Sequence, residues 1–228
     1  MNRAFMQQSE VCRRTEAVLF DFNGTLSDDE TILERSYAQA LENAELAPLG
    51  PGEYAACLGK SEPEIARDIL TPRHATDRYT EFLAAVGAAY AQLSWRAGCI
   101  DKQTVEFVRS LKGQGYPLGI VTGTLRQMIM PAVRDNGLED HLDVIVTIED
   151  VAHGKPAPDG YLQAAAVLGV EPGAVLAFED SRAGVESARS AGMSVVGIGP
   201  NTGESSALVA RFPDMRSAAA SLMRVLRK

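Results

Sequence analysis

The chain has 228 residues, of which 46% are hydrophobic and 23% are charged, a balance typical of a globular protein with one sizeable core. Its formal net charge of −8 provides no general attraction to nucleic acid or to an anionic membrane, and no apolar stretch is long enough to span a bilayer. Cys12, Cys57 and Cys99 have no paired spacing, so they suggest neither a disulfide framework nor a zinc site. We therefore expect a cytoplasmic protein that binds neither nucleic acid nor membrane.

Five short apolar runs define the predicted strands. Before them, residues 1–16 contain arginines but no apolar segment of a secretory signal, and we interpret them as a loose leader. The runs are residues 17–21, 116–122, 143–147, 174–179 and 194–198. Because they are continuous rather than alternating, they are typical of strands buried on both faces. Their alternation with helical patterns predicts an α/β fold with a doubly wound parallel sheet.

Helix signals stand between these runs. Asp101 is expected to cap one helix, and Pro158 to begin another that Gly169 ends. The inward face of this second helix is expected to contain Leu162, Ala165 and Leu168. Residues 217–228 are expected to form an amphipathic closing helix.

Residues 27–98 interrupt the alternation, because they have helical periodicity and no strand run. Three helix faces are predicted from apolar spacing: Leu33, Tyr37 and Leu41; Ile65, Ile69 and Leu70; and Phe82, Leu83, Val86 and Tyr90. We call this segment the helical insert and expect it to cover the edge of the sheet as a lid, since it follows the first strand directly. The predicted organisation is a leader at 1–16, a core domain at 17–26 and 99–228, and a helical cap domain at 27–98.

The first of four polar segments follows the first strand. Asp21 ends the apolar run, and Asn23 and Gly24 come directly after it. A parallel strand delivers a carboxylate in this way into the crevice beyond the carboxyl edge of a sheet, where open α/β folds bind ligands. Taken alone, Asn-Gly between apolar runs is also typical of a β-hairpin turn.

Three further polar segments follow later strands. Thr122 and Gly123 open a helix pattern, where a hydroxyl and free backbone N–H groups make an anion site. Lys155 stands in a loop with prolines, and Glu179 and Asp180 end the fourth strand. Each segment also has an ordinary structural interpretation: a strand-to-helix cap, a surface lysine, and an acidic helix N-cap.

Together and in this order, the four segments resemble the motifs of the haloacid dehalogenase-like (HAD) superfamily: an aspartate nucleophile, a Ser or Thr, a lysine and an acidic pair. The resemblance covers about residues 17 to 200. The helical insert is similar to the small helical cap of the beta-phosphoglucomutase-like branch, and Leu58-Gly59-Lys60-Ser61 resembles the cap loop of that branch. The resemblance implies the strand order 3-2-1-4-5, in which the first and fourth strands are neighbours.

The resemblance also implies a phosphoryl-transfer site that uses Mg²⁺. Asp21 would be the nucleophile that forms an aspartyl-phosphate, and Lys155 would offset negative charge. Crowded carboxylates resist ionisation, and a hard cation with oxygen ligands removes that conflict. The implied site residues are Asp21, Asn23, Thr122 and Lys155 for catalysis; Thr122, Gly123, Lys155, Lys60 and Ser61 for substrate binding; and Asp21, the backbone carbonyl of Asn23, Asp180 and the supporting Glu179 for the metal.

Asn23 departs from the superfamily pattern, because most of its phosphatases carry a second Asp there as general acid and base. An amide cannot exchange a proton in this way, and such help is typically worth ~10²–10⁴-fold in rate. We therefore expect a Mg²⁺-dependent hydrolase of a small phosphorylated metabolite, slow on alkyl phosphates and acting as a monomer or homodimer. The alternatives are carbon–phosphorus bond cleavage like that of phosphonoacetaldehyde hydrolases, and a phosphometabolite-binding protein without turnover. Lys60 and His74 are the candidates in the insert for the missing proton transfer.

Overall fold

The computed structural model describes residues 11 and 13–226, apart from the side chains of residues 95, 96 and 205. The leader predicted at residues 1–16 therefore lies mostly outside the described part of the chain. Its last residues do make contacts. Val11 packs against the hydrophobic core, and the Thr15 hydroxyl donates to the Val11 carbonyl at 3.0 Å.

Six short strands in the described residues pair into one parallel sheet. They are β1 (Ala17–Phe20), β2 (Leu118–Val121), β3 (Val144–Val146), β4 (Val175–Glu179), β5 (Ser194–Ile198) and β6 (Ala210–Phe212). Their order is β3-β2-β1-β4-β5-β6, which confirms the predicted parallel sheet and its order over the first five strands. Apolar runs do not reveal β6, because it has three residues and lies at the edge, incompletely buried.

Helices cover the sheet and extend beyond it. They are α1 (Glu30–Asn43), α2 (Glu62–Leu70), α3 (Tyr79–Ala97), α4 (Lys102–Gly113), α5 (Arg126–Asp135), α6 (Asp159–Leu168), α7 (Arg182–Ser190) and α8 (Met215–Leu222). As predicted, the Asp101 side chain accepts from two backbone N–H groups to cap α4, and Gly169 follows α6 in the left-handed conformation. The closing helix predicted over residues 217–228 is α8, which begins at Met215 and ends at Leu222; residues 227 and 228 of the prediction lie outside the described part of the chain. Within the described residues, no helix has both the length and the apolar character needed to cross a membrane.

One residue predicted to face inward on α6 does not. Leu162 is 42% exposed, so this prediction is wrong. The buried residues of the helix are Tyr161, Ala164 and Ala165. Because α6 is apolar on most of its surface, periodicity alone does not indicate which side packs on the sheet.

The sheet is buried between two helix layers. On β1, Val18 and Phe20 belong to the hydrophobic cluster that also holds residues of α4, α5 and α8. Ala17 and Leu19 face the opposite side, where α6 and α7 complete the second cluster. Phe20 stacks on Phe178, its in-register neighbour on β4, with ring centroids 5.0 Å apart. With both faces covered, the carboxyl edge of the sheet is the part left to form a ligand site.

The helical insert contains α1, α2 and α3. The apolar residues predicted for its three helix faces are all buried. Helix α1 packs on α3 and α3 on α5, where Leu125 and Met128 join the same hydrophobic cluster. The two connections between insert and core lie side by side, since the Asp28 N–H donates to the Cys99 carbonyl at 2.9 Å. The insert thus lies against the region that follows β2, and its status as a separate domain stays a prediction.

Candidate active site

Asp21 lies at the centre of the carboxyl edge. It is the first residue after β1, and its backbone N–H donates to the Phe178 carbonyl of β4 at 3.0 Å. Because β1 is paired on both sides, by β2 and by β4, the backbone position of Asp21 is fixed by the sheet. Its side chain is nearly buried, and its Oδ1 accepts a hydrogen bond from Lys155 Nζ at 2.5 Å.

Three carboxylates converge at this edge. One oxygen each from Asp21, Glu179 and Asp180 lies within 4.8 Å of the others. Burial, followed by the charges of Asp21 and Glu179, raises the pKa of Asp180 well above its usual range. Gly24 has a positive φ of 73°, and a Cβ there would lie 2.3 Å from Asp180 Oδ2, so only glycine allows this approach. The oxygen donors, and the mutual repulsion that raises the pKa of Asp180, fit a hard divalent cation such as Mg²⁺.

Lys155 links two of these carboxylates. Its Nζ lies 2.5 Å from Asp21 Oδ1 and 2.6 Å from Glu179 Oε1. Burial of the ammonium lowers its pKa, but the two negative charges outweigh burial and raise the pKa of Lys155 overall. The Tyr161 hydroxyl also donates to Glu179 Oε1, at 2.6 Å. Glu179 is fully buried, and these bonds make it a residue that positions the lysine.

Thr122 and Gly123 form the loop after β2, as predicted. The buried Thr122 Oγ1 accepts from the Thr124 backbone N–H at 3.1 Å. The Gly123 carbonyl accepts from the Glu62 backbone N–H at 3.1 Å, and a Cβ on Gly123 would lie 3.3 Å from Ser61 Cα. The start of α2 therefore rests directly on this loop, and Ser61 lies beside the segment implied for phosphate binding.

Asn23 is held on both sides of its amide. The Thr124 hydroxyl donates to Asn23 Oδ1 at 2.6 Å, and Asn23 Nδ2 donates to Asp29 Oδ2 at 3.0 Å. Asp29 also accepts from the Tyr90 hydroxyl at 2.5 Å, and burial raises the pKa of Asp29 to about 7. The role of Asp29 could not be predicted from the sequence, because an acidic residue before a helix is ordinarily an exposed cap. The amide of Asn23 is thus a fixed structural link between core and insert.

A cavity of about 70 Å³ brings the predicted residues together. The predicted site residues that line it are Asp21, Asn23, Lys60, Ser61, Thr122, Gly123, Lys155 and Asp180. Tyr54, Glu62 and Thr124 line it as well and were not expected from the sequence. Glu62 is only 2% exposed, and burial raises its pKa to about 7 although the Tyr37 hydroxyl donates to its Oε2 at 2.5 Å.

The two proton-transfer candidates of the insert have different surroundings. Lys60 Nζ lies 2.6 Å from Asp68 Oδ2 in a largely exposed pair, and this hydrogen bond raises the lysine pKa. A Schiff-base lysine needs a lowered pKa, so Lys60 lacks the surroundings that the carbon–phosphorus alternative requires. His74 is exposed at the end of a short turn and is not among the described residues that line the cavity.

Known proteins resemble this chain over most of its length. Residues 18–198 match the family model for haloacid dehalogenase-like hydrolases. Protein CbbY from Rhodobacter capsulatus is 33% identical over 228 residues, which cover 90% of this chain and 95% of that protein. The validoxylamine A 7'-phosphate phosphatase of Streptomyces hygroscopicus subsp. limoneus is 31% identical over 186 residues, which cover 80% of this chain and 85% of that protein. A crystal structure of CbbY from Rhodobacter sphaeroides in complex with phosphate has the same fold, with a TM-score of 0.79 at 22% identity over 91% of this chain and 100% of that chain.

Proposed function

The chain belongs to the haloacid dehalogenase-like hydrolase family, and we propose that it is a Mg²⁺-dependent phosphatase of a small phosphorylated metabolite, acting through an aspartyl-phosphate on Asp21. One observation carries the proposal: a nearly buried aspartate, a largely buried lysine 2.5 Å from it and a second aspartate meet at a cavity. The name of the Streptomyces relative, a phosphatase of a phosphorylated small molecule, supports the same reaction. Action in the cytoplasm, as a monomer or homodimer, remains part of the proposal.

The metal would be held by the carboxylates of Asp21 and Asp180 and by the backbone carbonyl of Asn23. When bound, Mg²⁺ would offset the charge of the crowded carboxylates and of the phosphate. The chain's own residues supply the rest. The Lys155 ammonium stays charged beside Asp21 and would bind a phosphoryl oxygen, while Thr122 would donate its hydroxyl to another.

The covalent step would form one bond and break one. An oxygen of the Asp21 carboxylate attacks phosphorus, and the bond from phosphorus to the ester oxygen breaks. The leaving oxygen then needs a proton unless it is already a stable anion. Asn23 cannot provide that proton, because both heteroatoms of its amide are engaged and an amide does not ionise. Acyl and aryl phosphates, whose leaving groups are weak bases, should therefore react faster than alkyl phosphates.

A substrate panel tests the proposal. Phosphate release is measured from acetyl phosphate, p-nitrophenyl phosphate and several small alkyl monophosphates, each with Mg²⁺ and with EDTA. We expect Mg²⁺-dependent release that is fastest for acetyl phosphate, and its loss in Asp21→Asn. Asp28→Asn is the matched control, because Asp28 is exposed in the same region and should keep activity. Absence of release from every substrate, together with tight phosphate binding, would instead identify a binding protein without turnover.

A further inference from the structure

We propose that the cavity selects phosphate monoesters whose alcohol part is neutral or positively charged, and that Glu62 is the residue that sets this specificity. The inference rests on the proposed phosphatase function and names the substrate class for that site. Its basis is the position of Glu62, the charges of the described residues around the cavity, and the small size of the cavity.

Glu62 is fixed beside the loop that is proposed to hold the phosphate, at the cavity that the alcohol part of a substrate would enter. It is the first residue of α2, and its backbone N–H donates to the Gly123 carbonyl in the loop proposed to hold the phosphate. Glu62 lines the same cavity as Asp21 and is almost fully buried. The Tyr37 hydroxyl donates to Glu62 Oε2 at 2.5 Å and restrains that oxygen. A carboxyl held in this way can accept a hydrogen bond from a substrate hydroxyl or ammonium group.

Among the described residues, each positive charge at the cavity already has a negative partner, which leaves none free for a second anionic group. Among the described residues that line it, Lys60 and Lys155 are the basic ones. Lys155 contacts Asp21 and Glu179 and is proposed to bind the phosphoryl group itself, and Lys60 is paired with Asp68. The acidic residues that line the cavity are Asp21, Glu30, Glu62 and Asp180.

Burial strengthens this charge preference. It raises the pKa of Glu62 to about 7, because a negative charge is poorly solvated there, and a second anion beside it would be poorly solvated as well. A second anion would lie close to Glu62 in a cavity of about 70 Å³, and like charges repel more strongly beside a buried group than in bulk water. Selection against such a substrate would thus come from an unpaired charge, which is a common source of specificity.

Three two-carbon esters of similar size provide the test. They are 2-hydroxyethyl phosphate, 2-aminoethyl phosphate and 2-phosphoglycolate, whose second groups are neutral, positive and negative. We expect kcat/KM to be at least about tenfold higher for the first two than for 2-phosphoglycolate. In Glu62→Gln the difference should shrink several-fold, and in Glu62→Lys the order should reverse. The quantity compared is the ratio of kcat/KM between two esters, because a general change in folding or turnover affects both values equally.

Glu42→Gln is the matched control. Glu42 lies on α1 of the same insert, is exposed and does not line the cavity, so the variant changes the net charge equally but should keep the wild-type ratios. Wild-type preference for 2-phosphoglycolate would overturn the inference, and would mean that Lys60 leaves Asp68 for the substrate. Ratios that do not change in Glu62→Gln would overturn it as well.

Failure of the inference is distinguishable from failure of the proposed function. Mg²⁺-dependent hydrolysis of acetyl phosphate without any charge preference among the esters would refute the role of Glu62 and leave the phosphatase proposal intact. If no ester is hydrolysed measurably, the affinities of the three esters are compared by calorimetry on Asp21→Asn with Mg²⁺. The same order of preference is expected there, and equal affinities, or no binding at all, would refute the inference.

Discussion

Replacement of Asn23 by aspartate should destabilise this protein, although it restores the residue that most phosphatases of the superfamily carry. The reason is Asp29, whose Oδ2 accepts from Asn23 Nδ2 at 3.0 Å. In Asn23→Asp this donor becomes an acceptor, and two carboxyl groups face one another. Asp29 is fully buried, so solvent does not screen the pair.

The size of the effect follows from that distance. Two ionised carboxylates 3.0 Å apart would repel by about 5 kcal/mol at an effective dielectric constant of about 20. One of them would avoid this by keeping a proton, so we expect a smaller loss of about 2–4 kcal/mol in the free energy of unfolding at pH 8. The loss should decrease at pH 5.5, where a shared proton is available. In Asn23→Asp/Asp29→Asn the donor and acceptor exchange places, and most of the stability should return.

Urea denaturation of the wild type, both single variants and the double variant measures this coupling as a double-mutant cycle. Asn43→Asp is the control, because Asn43 is exposed, and it should lower the free energy of unfolding by less than about 1 kcal/mol. Mass spectrometry must first show that Asn23 has not deamidated. The double variant should also hydrolyse alkyl phosphates at least about tenfold faster than the wild type, because it regains a carboxyl at position 23. An Asn23→Asp protein as stable as the wild type at pH 8, or a double variant no more stable than Asn23→Asp, would refute the reasoning.

Three further predictions concern the charged residues of the site. Burial raises the pKa of Glu62 from 4.5 to about 7, so the folded state favours the protonated carboxyl. As the pH rises from 4.5 to 8, the free energy of unfolding of the wild type should therefore fall by about 3 kcal/mol relative to Glu62→Gln. A difference between the two proteins in urea denaturation that does not depend on pH would contradict this. Lys155→Met leaves the carboxylates of Asp21 and Glu179 without their cation, so the free energy of unfolding should fall by about 3–5 kcal/mol in urea denaturation. The variant should also release no phosphate in the activity assay. Unchanged stability would contradict the ion pair. Mg²⁺ should raise the melting temperature of the wild type and Asp28→Ala but not of Asp180→Ala, relative to EDTA, and an equal rise in all three would exclude Asp180 as a ligand.

Much of the fold could be predicted because the sheet dictates a simple pattern. Strands buried on both faces must be continuous apolar runs, and β1, β2, β4 and β5 have that pattern. Where a strand is incompletely buried, or a helix is apolar on all sides, the apolar pattern no longer indicates the strand or the buried face. The edge strand Ala210–Phe212 lacks a distinctive run, and the apolar surface of α6 conceals that Leu162 is exposed.

The site was predictable where each residue follows a strand. Asp21, Thr122 and Asp180 stand directly after β1, β2 and β4, so the parallel sheet alone brings them to one edge. Asp29 and Glu62 are different, because each stands beside the start of a helix, where acidic residues are usually solvated. They are buried because residues distant in the chain contact them, Tyr90 in the case of Asp29 and Tyr37 in the case of Glu62, and no local pattern contains such contacts.

The most direct test of the proposed reaction is the location of the phosphoryl group during turnover. The protein is mixed with Mg²⁺ and acetyl phosphate, quenched in acid within seconds, digested and analysed by mass spectrometry. We predict one phosphoryl group on the peptide that contains Asp21 and none in Asp21→Asn. The labelled peptide should accumulate in the wild type, because water hydrolyses the aspartyl-phosphate slowly when Asn23 provides no base. Mg²⁺-dependent phosphate release without phosphorylation of Asp21, or the same labelled peptide in Asp21→Asn, would contradict the account.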